Sequence, residues 1–208
     1  MSISRATGAV QRAMAERHRE ATEEVERILA AAVTVMEEVA PASPRLADII
    51  TEAGTSNKAF YRYFTGKDDL ILAVMERGVA LVVSYLEHRM AKVEDPGAQI
   101  AEWIEGVLMQ AADPKVARAS RAVTAQVALL SPRQVVDDEM ASPLRELVVD
   151  PVKRAGSADF RRDTDAIFEA VFGTMRRHLA LGTRPGRRDT EHLVAFCLSA
   201  IGVALGRA

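Results

Sequence analysis

The chain has a single cysteine, Cys197, in 208 residues. That excludes an internal disulfide and a cysteine-built zinc site, and it fits a reducing compartment. No apolar run approaches the roughly 18 uncharged residues of a membrane-spanning helix. The opening "MSISRATGAVQRAMAERHRE" has no apolar core of signal-peptide length, so a soluble, cytoplasmic protein without membrane contact is expected. A glycine-rich phosphate loop of the GxGxxG kind is missing. His18, His88, His178 and His192 have no His or Cys three or four residues on, which removes the spacing of a helical metal site. No cofactor, metal or enzymatic chemistry is implied. Cys197, inside "LVAFCLSAIGVAL", reads as a core residue rather than a nucleophile. The acids Asp137, Asp138 and Glu139 are consecutive and diverge around a helix, so they read as a solvated face.

An excess of one charge is missing too: 27 Lys and Arg face 29 Asp and Glu, a formal net charge of −2. The distribution is uneven, however. Residues 1–19 carry four Arg against one Glu, and residues 54–67 carry two Lys and one Arg against no acid. Residues 20–53 between them carry two Arg against eight acids. A local basic edge on a neutral chain suits phosphate contact without general stickiness.

Apolar residues recur with a 3.6-residue period between regularly placed Pro, Gly and Asp breaks. Val25, Ile28, Leu29, Ala32, Met36 and Val39 make one stripe, and Leu46, Ile49, Ile50 and Ala53 a short second one. Leu70, Ile71, Val74, Met75, Val79, Val82, Val83 and Leu86 mark a long helix from Lys67 to about Lys92. Further helices are expected over 98–112, 115–130, 133–154, 163–182 and 189–206, with no period-2 strand. The expected fold is all-α, about nine helices: an N-terminal three-helix unit and a larger helical C-terminal unit. Residues 1–21 read as a flexible basic arm, in which Arg12, Arg17 and Arg19 are available to phosphates.

Aromatics make up only 5% of the chain, yet they crowd into "SPRLADIITEAGTSNKAFYRYFTGKDDL", residues 43–70. Ser43 is placed to cap a helix opening on Pro44. Gly54 supplies a left-handed turn, and Thr55 or Ser56 caps the next helix. Two short helices joined by a glycine turn form a helix-turn-helix. Phe60 and Phe64 suit the buried side of its second helix, leaving Asn57, Lys58, Tyr61 and Arg62 to face outward. Asn and Lys match base edges. Tyr61 and Tyr63 offer hydroxyls to phosphate, and Lys67 sits beside the free N–H groups that open the fourth helix. Thr65 and Asp68 suggest a capping box there.

This segment resembles the N-terminal domain of the TetR family of bacterial regulators, over residues about 22–80. The family pattern of a "T-x-x-x-I-A-x-x-A-G-V-S" helix and turn followed by "K-G-T-x-Y-x-Y-F-x-S-K-x-x-L" is met by Ser43, Ile49, Ala53, Gly54, Ser56, Tyr61, Tyr63, Phe64, Lys67 and Leu70. Ile50 stands where the family has a small Ala, Lys58-Ala59 where it has Gly-Thr, and Pro41-Ala42 where a glycine turn is usual. The resemblance implies a homodimer that binds a palindromic double-stranded DNA operator, represses transcription and is released by a small-molecule effector. Its DNA-binding set falls on Ser43, Thr55, Asn57, Lys58, Tyr61, Arg62, Tyr63 and Lys67. It also implies that residues 81–208 hold the effector and dimerise through the last two helices, with the fourth helix as lever.

The C-terminal region, read on its own, offers small residues in its last two helices (Ala170, Gly173, Thr174; Ala195, Ser199, Ala200, Gly202, Ala204) that permit close helix approach. Trp103, Met109, Phe168, Phe172, Met175 and His178 are the candidate pocket lining. Their mainly aliphatic surroundings point to an apolar or amphipathic effector. Arg176, Arg177, Arg184, Arg187 and Arg188 surround one helix end and are positioned to complement its dipole or meet an anionic head group. Two other classes compete. An all-α lipid or acyl-group carrier explains the C-terminal half but leaves residues 43–67 unexplained. An architectural DNA protein requires no pocket and no release by small molecules.

Overall fold

The computed structural model describes residues 5–130 and 135–203. Among them it contains nine helices and no strand: α1 (Arg5–Val39), α2 (Leu46–Glu52), α3 (Asn57–Tyr63), α4 (Lys67–Met90), α5 (Pro96–Ala112), α6 (Pro114–Leu130), α7 (Val135–Arg154), α8 (Phe160–Leu181) and α9 (Arg187–Ala200). The all-α class read from the sequence is the one found. The chain divides into two compact units, Met1–Val74 and Met75–Ala208. The side chains of Asp137–Glu139 lie outside the described residues, as does Ala204.

In the first unit, α1 is a single helix from Arg5 through the acidic segment to Val39. The stretch expected as an arm is therefore helical from Arg5 onward, consistent with a run rich in Ala, Arg, Glu, Gln and Met that has no Gly or Pro after Gly8. Its side chains from Ala9 to Glu20 are exposed. The apolar stripe begins only at Val25, and from there α1 packs on α2. Ile28, Leu29, Ala32 and Met36 are buried, as are Ile49 and Ile50 from α2 and Ala53 directly after it. Phe60 and Phe64 add two rings with centroids 5.5 Å apart.

In the second unit α5 is the central helix and packs against α6, α7, α8 and α9. Asp95 caps it by accepting the Ala98 N–H at 2.7 Å, and Pro96 follows at the first helical position, where no N–H is missed. Ile100, Trp103, Ile104, Val107 and Leu108 line its buried side. Trp103 is fully buried, and its indole N–H donates to the Leu144 carbonyl of α7 at 2.9 Å, so the one polar atom of the largest core residue is satisfied. The packing at Gly106 is close: a Cβ there would lie 2.3 Å from Leu86 Cδ2, so the buried Leu86 side chain would have to shift.

The ninth helix is shorter than the periodicity suggests, ending at Ala200 rather than 206. Gly202 takes φ +76, and the Val203 N–H reaches back to the Leu198 carbonyl at 3.0 Å. That left-handed closure stops the helix although apolar residues continue beyond it. α8 ends the same way at Gly182, φ +63, with the Thr183 N–H on the His178 carbonyl.

Candidate nucleic-acid interface

Residues 46–63 form the expected helix-turn-helix. Gly54 adopts φ +61 and lets the Thr55 N–H return to the Ile50 carbonyl at 3.2 Å, closing α2. Ser56 is the cap of α3: its hydroxyl accepts the Ala59 N–H at 3.1 Å. With one end fixed, α3 sorts its side chains by burial. Ala59 and Phe60 are buried, and Phe64, just past its end, is too. Asn57, Lys58, Tyr61 and Arg62 are exposed, Tyr61 to 59% although it is a large aromatic. A helix that presents an amide, an ammonium, a phenol and a guanidinium together matches what enters a groove better than what ordinarily faces water.

Ser43 has a different part from the one its sequence position suggests. The cap position of α2 is Arg45, in extended conformation and without a side-chain bond, and α2 begins at Leu46. Pro44 is buried, while the exposed Ser43 accepts a hydrogen bond from Lys67 Nζ at 2.8 Å. The pairing joins the loop before α2 to the first residue of α4. One hydroxyl and one ammonium thereby sit side by side on the surface. The box at the start of α4 is also corrected: Asp69, not Asp68, accepts from Thr65, through both its N–H (2.8 Å) and its hydroxyl (3.0 Å). Asp69 is the third helical residue, so its carboxylate can turn back over the helix start.

Thr55 and Tyr63 point inward, to a residue the sequence did not single out. Thr55 Oγ1 donates to Glu24 Oε1 at 3.1 Å, and Tyr63 Oη donates to Glu24 Oε2 at 2.8 Å. Arg62 Nη1 stands 3.7 Å from the same Oε2, and its guanidinium lies 5.3 Å from the Tyr63 ring centroid. The Tyr63 hydroxyl bond, followed by Thr55 and the charges of Arg62 and Arg27, holds the Glu24 carboxyl below its ordinary value against the opposing effect of burial. The same bond holds the Tyr63 phenol above its ordinary value. Three of the eight expected contact residues are thus gathered on one carboxylate of α1.

In the second unit, Trp103, Phe168 and Phe172 form an aromatic run: centroids are 6.3 Å apart for the first pair and 4.4 Å, stacked, for the second. Met175 is buried along the same stripe of α8. Met109 does not join them; it is 40% exposed. His178 meets the Thr183 hydroxyl through Nδ1 at 2.8 Å while its Nε2 is buried without a hydrogen-bond partner. Cys197 is buried, and desolvation pushes its thiol up to about 11, so it stays protonated at neutral pH and is a poor nucleophile. Among the described residues no three acid, His or Cys side chains group as metal ligands, and no helix is long and apolar enough to cross a membrane.

Residues 28–74 match the family model described as bacterial regulatory proteins, tetR family. No curated protein matches the chain. Solved structures share its fold over most of their length. The transcriptional regulator FadR of Bacillus subtilis, solved in complex with stearoyl-CoA, has TM-score 0.64 and 16% identity, over 85% of this chain and 98% of its own. Reduced NemR of E. coli has TM-score 0.65 and 16% identity, over 86% and 97%. RolR in complex with resorcinol has TM-score 0.61 and 16% identity, over 89% and 91%.

Proposed function

From the premise that residues 28–74 are a tetR-family regulatory head, we propose that this chain is a ligand-responsive DNA-binding regulator of transcription. The observation that carries the reading is α3: capped by Ser56, buried through Phe60, and presenting Asn57, Lys58, Tyr61 and Arg62 together. Asn57 and Lys58 read base edges near the start of the helix, with Tyr61 at the groove edge. Ser43 and Lys67 take a backbone phosphate as a neutral and a charged donor. Thr55 and Tyr63 hold the reading helix to α1 through Glu24. The chain acts as a repressor in the cytoplasm, without catalysis.

It binds a palindromic operator as a homodimer, because a two-fold arrangement of reading heads matches a two-fold site. The face for that dimer lies on α8 and α9. Phe196 is 58% exposed on α9, more than an apolar residue of its size needs to be, and Gly173, Ser199 and Ala200 leave room for a second copy. The effector is apolar or amphipathic and occupies the second unit around Trp103, Phe168, Phe172 and Met175. The aliphatic and aromatic character of that core supports this, as does the acyl-CoA in FadR. A ligand there releases DNA only by favouring the DNA-incompetent conformation, and α4, one unbroken helix of 24 residues, is the element for transmitting it.

Selection of bound duplexes from a random DNA pool tests the reading. A short palindrome strongly enriched and bound by a dimer is the expected result. Weak, salt-sensitive binding without enrichment would refute it.

A further inference from the structure

The cluster on Glu24 has the donor set of an anion site. Two hydroxyls, Thr55 Oγ1 and Tyr63 Oη, donate to its carboxylate, and the Arg62 guanidinium lies 3.7 Å from it. A phosphodiester presents to such donors what a carboxylate presents: two oxygens sharing one negative charge. Exposure runs in a gradient through the cluster, because the Arg62 side chain is 61% exposed and that of Glu24 20%. An anion arriving from solvent therefore meets the cation first and finds it already neutralised.

We infer that Thr55, Arg62 and Tyr63 form a latent phosphate-binding subsite that Glu24 fills from within the chain, and that this carboxylate lowers the affinity of the head for DNA of any sequence. The inference rests on the DNA-binding reading above and adds to it a residue that opposes binding. Its effect is sequence-independent, because backbone phosphates carry no base information. Self-occupation of the subsite leaves recognition to Asn57 and Lys58 and keeps non-specific attachment weak. If Glu24 were only a strut between α1 and α3, losing its charge would loosen the head and weaken binding. The two accounts differ in sign.

The experiment measures binding of full-length protein to a short mixed-sequence duplex across a salt series, with thermal melting beside it. Glu24→Gln keeps an acceptor oxygen for one of the two hydroxyls, offers an amide N–H to the other, and removes the charge. It is expected to bind roughly two- to fivefold tighter at low salt, the factor an exposed ion pair supplies. Its log–log salt slope is expected to steepen by about 0.9 for each phosphate gained. In an Arg62→Ala background the same Glu24→Gln change is expected to add no steepening, because the guanidinium it would free is gone. Binding by Glu24→Gln that is unchanged or weaker, at an unchanged melting temperature, overturns the inference. Should Glu24→Gln melt early, Arg62→Ala alone decides, since a slope loss of about 0.9 per head in that variant would show the guanidinium already on a phosphate. If neither wild type nor variant binds any duplex, the regulator reading falls and this inference with it. If the wild type binds and the slopes do not move as stated, only this inference falls.

Discussion

Lys67 is placed where a lysine is poorly suited to the fold. It is the first residue of α4, and at a helix N-terminus a cation faces the positive end of the dipole, at a cost of about 0.3–1 kcal/mol. Its one hydrogen bond, 2.8 Å to the exposed Ser43 hydroxyl, returns little, because water competes at that surface. Lys67→Ala should therefore change stability by no more than about 0.5 kcal/mol in either direction. DNA binding should respond very differently. One phosphate contact contributes about 0.9 to the salt slope, so two heads contribute about 1.8, and across a fourfold rise in salt that is a factor of about twelve. The variant should bind more weakly at low salt, equally so for operator and random duplex, and lose about twelvefold less affinity across that range. Fluorescence anisotropy on a labelled duplex gives the slope, and urea unfolding gives the stability. An unchanged slope would remove Lys67 from the phosphate set. A stability loss well above 1 kcal/mol would mean that the Lys67–Ser43 pair is structural and the argument from the dipole is wrong.

Asn57→Ala should act on discrimination instead, costing about 1–3 kcal/mol at one base pair of each half-site if its contact is bidentate; equal losses on operator and random DNA in a competition assay would exclude it as a base reader. Gly106→Ala pits about 1 kcal/mol of gained helix propensity against a Cβ 2.3 Å from the fully buried Leu86 Cδ2. Overpacking of that kind costs about 1–3 kcal/mol, so a net destabilisation is expected in chemical unfolding, and Leu86→Ala in the same chain should cost less than it does alone. The Glu24 carboxyl is held below its ordinary value of 4.5, chiefly by the Tyr63 hydroxyl. Its contribution is thus complete above that value and lost as pH falls through the lower folded value. Tyr63→Phe should accordingly flatten the acid limb of the stability curve in thermal melts at decreasing pH; a limb of unchanged steepness would show the bond to be energetically silent.

What the sequence reveals and what it hides have different physical origins. The helix-turn-helix was legible because each of its determinants is local: a left-handed turn needs Gly54, a cap needs the Ser56 hydroxyl, and Phe60 and Phe64 are one turn apart on one side. Local determinants also misled where two of them competed. A Ser followed by Pro satisfies the usual rule for a helix start, but α2 begins three residues after Ser43, whose hydroxyl serves Lys67 instead. The 3.6-residue period likewise continues past Ala200 in α9, and Gly202 overrides it. Periodicity states which residues share a face and is silent about where the backbone leaves the helix.

Glu24 was illegible for the opposite reason. Its partners lie 31 and 39 residues away, and on α1 alone it is one acid among several on a solvated helix. Residue type read along the chain assigned Thr55, Arg62 and Tyr63 to DNA because each carries a donor suited to phosphate. Those same donors suit a carboxylate equally well, and the fold supplies one at 2.8 Å. A list of donors in a motif therefore fixes the kind of anion that can be held and leaves its source open. Where the chain itself supplies an acid, charge on the motif overstates attraction to DNA, and the net contribution of the head comes from cations without an internal partner of opposite charge. On the proposed reading Lys67, whose hydrogen bond goes to a neutral hydroxyl, has its charge available to phosphate, while Arg62 stands 3.7 Å from the Glu24 carboxylate.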